Sequence, residues 1–334
     1  MMIVPNFWAE ARVQHRRKGK QVTIRRFGWS DASQEEAQNN AEKRAAEALE
    51  RAVAGESLPR RERKVPYNGG DGVPIREEVV SRYGETVITR NSYGARCLNT
   101  PGVLFADIDF PEDASSRMVL VCALCLLAAA AGAVYLMAAV GKGGGLLWTT
   151  GAIGALLALM LALPIANGIH RLVVGIKGGA EAIARAKVLR FMATRPDWLV
   201  HVYRTPAGLR LLATHRLFDP MEAEVAECFQ ELATDPVYVA MCRNQHCFRA
   251  RLSAKPWRIG IKVPLKPRPG VWPVSPERLP ERRAWLERYD RAAAGFAACR
   301  FIESIGSSVS DPAAREVQQL HDELCQARSG LPIA

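Results

Sequence analysis

Charge is what one stretch of this 334-residue chain lacks: from Met118 to Ile165 the single charged residue is Lys142. The averages, 49% hydrophobic and 24% charged, describe an ordinary soluble protein of about two domains and conceal that block. Catalytic fingerprints are missing as well. There is no Walker A loop, no G-x-G-x-x-G after a strand, no G-x-S-x-G elbow and no H-E-x-x-H helix, which limits the kinase, dehydrogenase and hydrolase readings. Residues 1–10 have no basic region ahead of an apolar core, so no signal peptide is expected. The cysteines show no disulfide-scaffold spacing, and no internal repeat is visible.

The charge-poor block divides in two. Residues 118–140 form an uncharged run that as a helix spans roughly 34 Å, enough to cross a hydrocarbon core of about 30 Å. Residues 146–167 form a similar run, with Trp148 near one interface and Pro164 near the other end, where it loosens only the last turn. Five residues separate the runs, so a transmembrane helical hairpin is expected over 117–167. Arg117 precedes it and Arg171, Lys177, Arg185, Lys187 and Arg190 follow, against Lys142 alone in the turn. That asymmetry predicts a two-span protein of the cell inner membrane with its N- and C-terminal parts cytoplasmic. A net charge of +11 adds anionic lipid, nucleotide or nucleic acid to the bilayer as expected partners.

Outside the hairpin the pattern predicts an α+β domain into which the hairpin is inserted. A small basic ββα module is expected over 1–55, with strands around Lys18 and Gly19 and a helix opened by the capping-box spacing Ser33-Gln34-Glu35-Glu36. Arg16, Arg17, Lys18, Lys20, Arg25 and Arg26 crowd its hairpin beside Phe7, Trp8, Phe27 and Trp29. Such a mixture holds phosphates and stacks on bases, or else is a solvated basic hairpin over a small aromatic core. Residues 56–74 read as a linker. The α+β domain then runs over 75–116 and resumes over 168–275, and helices over 276–305 and 311–328 close the chain within 276–334.

The sharpest local signal is Leu104-Phe105-Ala106-Asp107-Ile108-Asp109-Phe110, an apolar strand with two carboxylates on one face. Turning two anions inward is costly without a cation, and Mg²⁺ or Mn²⁺ is the expected partner; otherwise the pair faces solvent. A later segment runs from Tyr203 through Gly208 and Arg210 to His215, then to Phe218-Asp219-Pro220. A hydrophobic strand with D-x-D, a small-residue-x-His step and a hydrophobic-Asp step, in that order, resemble the three catalytic motifs of the archaeo-eukaryotic primase superfamily. The resemblance covers about 120 soluble residues. It implies Asp107, Asp109 and Asp219 as metal ligands, with His215, or Arg210 if the turn is what aligns, at the incoming nucleotide. Two departures from the family pattern, the four-residue step from His215 to Asp219 and the hairpin between the first two motifs, speak against polymerisation.

Arg249, Arg251, Lys255 and Arg258 form a further basic constellation suited to a triphosphate or nucleic-acid backbone, or to a solvated or lipid-facing edge strand. Cys242, His246 and Cys247 lie close together but lack a fourth ligand, so no zinc is expected. Two functions follow as expectations: metal-dependent nucleotide or nucleic-acid handling of primase-like type, or a non-catalytic membrane-tethered module binding anionic lipid, nucleic acid or a protein partner.

Overall fold

The computed structural model describes residues 4–17, 20–60, 73–110, 113–141, 143–268, 270 and 272–334. The expected turn at Lys18 and Gly19, most of the 56–74 linker and Lys142 lie outside the described residues. The chain is mixed α+β and divides into two compact units, one of residues 1–108 with 190–334 and one of residues 109–189. In chain order the elements are β1 (Phe7–Arg17), β2 (Lys20–Ser30), α1 (Gln34–Val53), β3 (Glu78–Tyr83), β4 (Thr86–Arg90), β5 (Arg96–Thr100) and β6 (Phe105–Asp109). There follow α2 (Ser116–Ala139), α3 (Gly145–Ile176), α4 (Ala180–Ala193), β7 (Leu199–Arg204), β8 (Gly208–Ala213), α5 (Ala223–Leu232) and α6 (Pro236–Gln245). Last come β9 (Phe248–Arg251), α7 (Leu279–Ala293), β10 (Arg300–Gly306) and α8 (Pro312–Cys325).

The larger unit opens with the ββα module. β1 and β2 pair antiparallel from Phe7 opposite Ser30 to Arg17 opposite Lys20. Ser33 caps α1 by accepting the Glu36 amide, as its spacing predicts, but the reciprocal half of the box is redirected: Glu36 accepts from the Ser30 hydroxyl at 2.7 Å. Ala37, Ala41 and Ala45 are fully buried against Ala9 and Ala11, so helix and hairpin approach closely. Within the module Arg25 pairs with Glu10 and Arg44 lies over Trp29, while Arg76, from beyond it, lies over Phe27.

The rest of this unit contains two four-stranded sheets, in the orders β3-β4-β5-β9 and β10-β7-β8-β6, together with helices α5 to α8. The inner strands β4 and β8 are buried at every residue; GLRLLA is apolar apart from Arg210, whereas TVITR buries the polar Thr86, Thr89 and Arg90. The helix expected over 276–305 is corrected. α7 stops at Ala293, and residues 300–306 form β10, antiparallel to β7 with Arg300 opposite Arg204 and Gly306 opposite Leu199. Its residues alternate between exposed and half-buried, the period of a strand, and pairing with β7 overrides the helical reading of the preceding alanine-rich run.

The smaller unit contains two helices, each long and apolar enough to cross a membrane. α2 has 24 residues and is capped by Ser115, while α3 has 32 and runs on past Asn167, where the sequence predicts an end. Pro164 sits inside α3 without stopping it, since a proline removes one backbone bond and Leu172, Val173 and Ile176 then resume the apolar pattern. The helices pack antiparallel through small residues: a Cβ on Gly154 would lie 2.9 Å from the Ala130 Cβ and one on Gly151 3.7 Å from Val134. Ala158, Ala162 and Ala166 continue that buried four-residue spacing. Leu120, Leu136, Trp148, Leu159 and Met160 point outward and are exposed.

Candidate functional site

β6 carries Asp107 and Asp109 on one exposed face, while Ala106 and Ile108 are buried. Two strands away in sequence, β8 aims Arg210 at Asp107. Its Nε donates to Oδ1 at 2.8 Å and its Nη2 to Oδ2 at 3.1 Å, a bidentate fork. Nη1 donates to the Arg251 carbonyl at 2.9 Å and lies 3.5 Å from His321 Nε2. Burial alone pulls the Arg210 pKa down, but Asp107 outweighs it and raises it, so the guanidinium stays charged. Both oxygens of Asp107 are thereby engaged by protein.

The remaining sequence-predicted residues disperse. Asp219 closes a local turn by accepting the Met221 amide at 2.8 Å and lines a separate cleft of about 650 Å³ with Leu217, Phe218, His246, Glu316 and Leu320. His215 packs its ring 4.7 Å from Trp198 and 5.2 Å from Phe218, and burial, reinforced by Arg216, lowers its pKa. Asp109 begins the smaller unit. The basic strand turns out to be largely interior. Arg249, 9% exposed, pairs at 2.6 Å with Glu77, itself 3% exposed, and Thr89 donates to the same carboxylate. Arg251 donates to the carbonyls of Ser253 and Ala334. Lys255 lies over the Trp257 ring, and Arg258 sits on the short helical turn Pro256–Ile259. Arg210 and Arg249 are therefore internal counter-ions, where a phosphate-binding surface was expected.

Among the described residues, one group of three metal-ligating side chains converges, and it contains none of the predicted aspartates. Cys299, His321 and Cys325 are all buried, with one ligand atom of each lying within 4.8 Å of the others. Cys299 directly precedes β10, and His321 and Cys325 stand one turn apart on α8. Cys299 Sγ is 3.9 Å from His321 Nε2, while His321 Nδ1 meets Asp322 Oδ1 at 3.2 Å. The hydrogen bond from Cys325 pulls the Cys299 thiol well below the usual thiol range, helped by His321, and burial pushes Cys325 up. Burial works against protonated His321, but its bonds to Asp322 and Cys299 prevail and raise its pKa. Sequence reasoning missed this trio because it sought neighbours in the chain. The one local signal was His321-x-x-x-Cys325, a spacing that shares a helix face. Cys242 and Cys247, by contrast, are plain buried thiols, the latter pushed up to about 12 by burial.

No protein-family model, no curated protein and no solved structure matches the chain.

Proposed function

We propose that the chain is an integral membrane protein whose α2–α3 hairpin crosses the cell inner membrane twice, and whose α+β unit is a binding module rather than a nucleotide-processing enzyme. The observation that carries the reading is the outward-facing apolar surface of the hairpin, joined through small residues as bilayer helices are. The cations that flank it, Arg117 on one side and Arg171 to Arg190 on the other, support a cytoplasmic α+β unit. Against primase-like catalysis stands the occupation of Asp107 by Arg210, which leaves Asp109 and Asp219 without the shared ligand that the first motif implies.

For the ligand seat we take the cleft of about 650 Å³, lined by Val103, Leu217, Phe218 and Leu320 with Glu85, Asp219 and Glu316 among its polar groups. Those carboxylates repel phosphates and anionic head groups. They suit a protein segment that offers apolar side chains beside a basic one, which selects a protein partner over nucleic acid.

Alkaline carbonate extraction should leave the chain in the membrane, and a cysteine placed at Gly143 should react with an impermeant thiol reagent from outside intact cells. Release by carbonate, or labelling of the α+β unit without permeabilisation, overturns the topology. A thermal shift with Mg²⁺ and a nucleoside triphosphate that Asp107→Asn abolishes would restore the primase-like alternative.

A further inference from the structure

We propose that Cys299, His321 and Cys325 form a binding site for one thiophilic metal ion, Zn²⁺ foremost, held by two thiolate sulfurs and the His321 Nε2. The inference is independent of how the chain meets the membrane.

Geometry is the first support. In a tetrahedral zinc site, ligand sulfurs stand about 3.8 Å apart and sulfur and nitrogen about 3.5 Å. Cys299 Sγ and His321 Nε2 are already at 3.9 Å, and the whole trio lies within 4.8 Å, so closure around an ion takes only small side-chain movements. The backbones that carry the ligands are tied together: the Ala298 amide donates to the Cys325 carbonyl at 2.9 Å and the Phe301 amide to that of Ala327 at 2.9 Å.

The second support is the surroundings of the imidazole. Asp322 takes the Nδ1 side at 3.2 Å and is itself held by Gln318 at 3.0 Å and Arg328 at 3.2 Å. This carboxylate–histidine arrangement keeps the proton on the Nδ1 side and leaves Nε2, 3.9 Å from Cys299 Sγ and 3.5 Å from Arg210 Nη1, to meet the ion, as it does around many metal-bound histidines. Tyr203 and Phe105 wall the ring at 4.8 and 5.3 Å, so it has little freedom to turn away.

Charge and softness choose the ion. Zn²⁺ binding displaces two protons from the Cys299–His321–Cys325 group, so the site gains two positive charges and loses two, and the neighbouring Arg210–Asp107 and Arg328–Asp322 pairs remain balanced. A donor set of two sulfurs and an imidazole selects Zn²⁺ or Cu⁺ and rejects Mg²⁺ and Mn²⁺. The ions expected at the aspartates are therefore the wrong ones here.

The test uses the full chain in detergent, reduced and stripped with chelator under anaerobic conditions. Co²⁺ titration should saturate at one equivalent, with sulfur-to-cobalt charge-transfer absorption in the near ultraviolet and visible bands of a four-coordinate ion whose fourth ligand, beside the three side chains, is a water or hydroxide from solution. Zn²⁺ should bleach both at one equivalent and raise Tm through preferential binding to the folded state. Cys325→Ser and His321→Gln should weaken binding at least 100-fold, and Asp322→Asn, which removes no ligand, about 10- to 100-fold. Cys228→Ser, a buried thiol on α5, should leave binding unchanged. Bleaching by Cu⁺ but not by Zn²⁺ would assign the site to copper and overturn the zinc choice. Absence of the charge-transfer band in the wild type, the same band in Cys325→Ser, or a metal-free Cys299–Cys325 disulfide in anaerobically isolated protein overturns the site. Should the ligand variants fail to fold, the wild-type titration and the Asp322→Asn affinity decide it.

Discussion

Arg210 holds both carboxylate oxygens of Asp107 from a position only 4% exposed, so the most suggestive acid in the sequence serves as a counter-ion for a buried cation. Asp107→Asn leaves that cation without its partner. Because Asp107 itself is half exposed and water can answer part of the loss, the expected cost is about 2 kcal/mol. Chemical denaturation of the detergent-solubilised protein without divalent ions measures it. Mg²⁺ should move neither protein's Tm; a Mg²⁺-dependent rise confined to the wild type would make Asp107 a metal ligand.

Arg249 and Glu77 form a more deeply buried pair, and the consequence of breaking it is larger. Glu77→Gln should destabilise by about 3–5 kcal/mol, since a guanidinium is then left uncompensated in the interior. Arg249→Glu should cost at least as much by placing two carboxylates together. If instead Arg249→Glu folds normally and loses affinity for a nucleotide or single-stranded nucleic acid with a steep salt dependence, Arg249 is a phosphate ligand.

Gly28 tests the close packing of the N-terminal module. A Cβ there would fall 2.1 Å from the Ala41 amide nitrogen and 2.4 Å from the Ala37 carbonyl oxygen, both helix backbone that has no room to yield. Gly28→Ala should therefore cost about 3 kcal/mol, at the upper end of overpacking effects, and lower Tm accordingly. An unchanged Tm would mean that α1 does not lie against β2 in this way.

What the sequence disclosed divides along a physical line. Features set by neighbours in the chain were readable: the charge-poor runs that became α2 and α3, the Ser33 cap, and the shared face of Asp107 and Asp109. Features set by partners far away were not. β10 is a strand because β7 lies beside it, and nothing in RFIESIG announces that neighbour. Arg249 and Arg251 alternate as an exposed basic edge would, yet Glu77, 172 positions upstream, turns Arg249 inward. Cys299 lies 22 positions from His321, a distance that no motif spacing spans.

Acid sensitivity follows from two imidazoles of the larger unit. Burial lowers the pKa of His215, whose ring lies among Trp198 and Phe218; Arg216 lowers it further, against weaker opposition from Asp197 and Glu224. Burial likewise lowers that of His201, whose ring nitrogens meet Ser304 at 2.8 Å and Thr214 at 2.9 Å. In the unfolded chain both titrate near pH 6.5. Above that value neither state binds the proton, and the stabilisation is complete. As pH falls through about 6.5 the unfolded chain takes up protons first, so stability declines until the folded-state pKa values are passed. These two imidazoles should thus lower Tm between pH 7.5 and 5.5, against the opposite contribution of His321, whose raised pKa adds stability as pH falls. His215→Phe keeps an aromatic ring in the same packing and removes the proton, so its Tm should fall less over that interval. Thermal melts of both proteins in matched buffers provide the comparison, and equal slopes would show that His215 is not a source of the pH dependence.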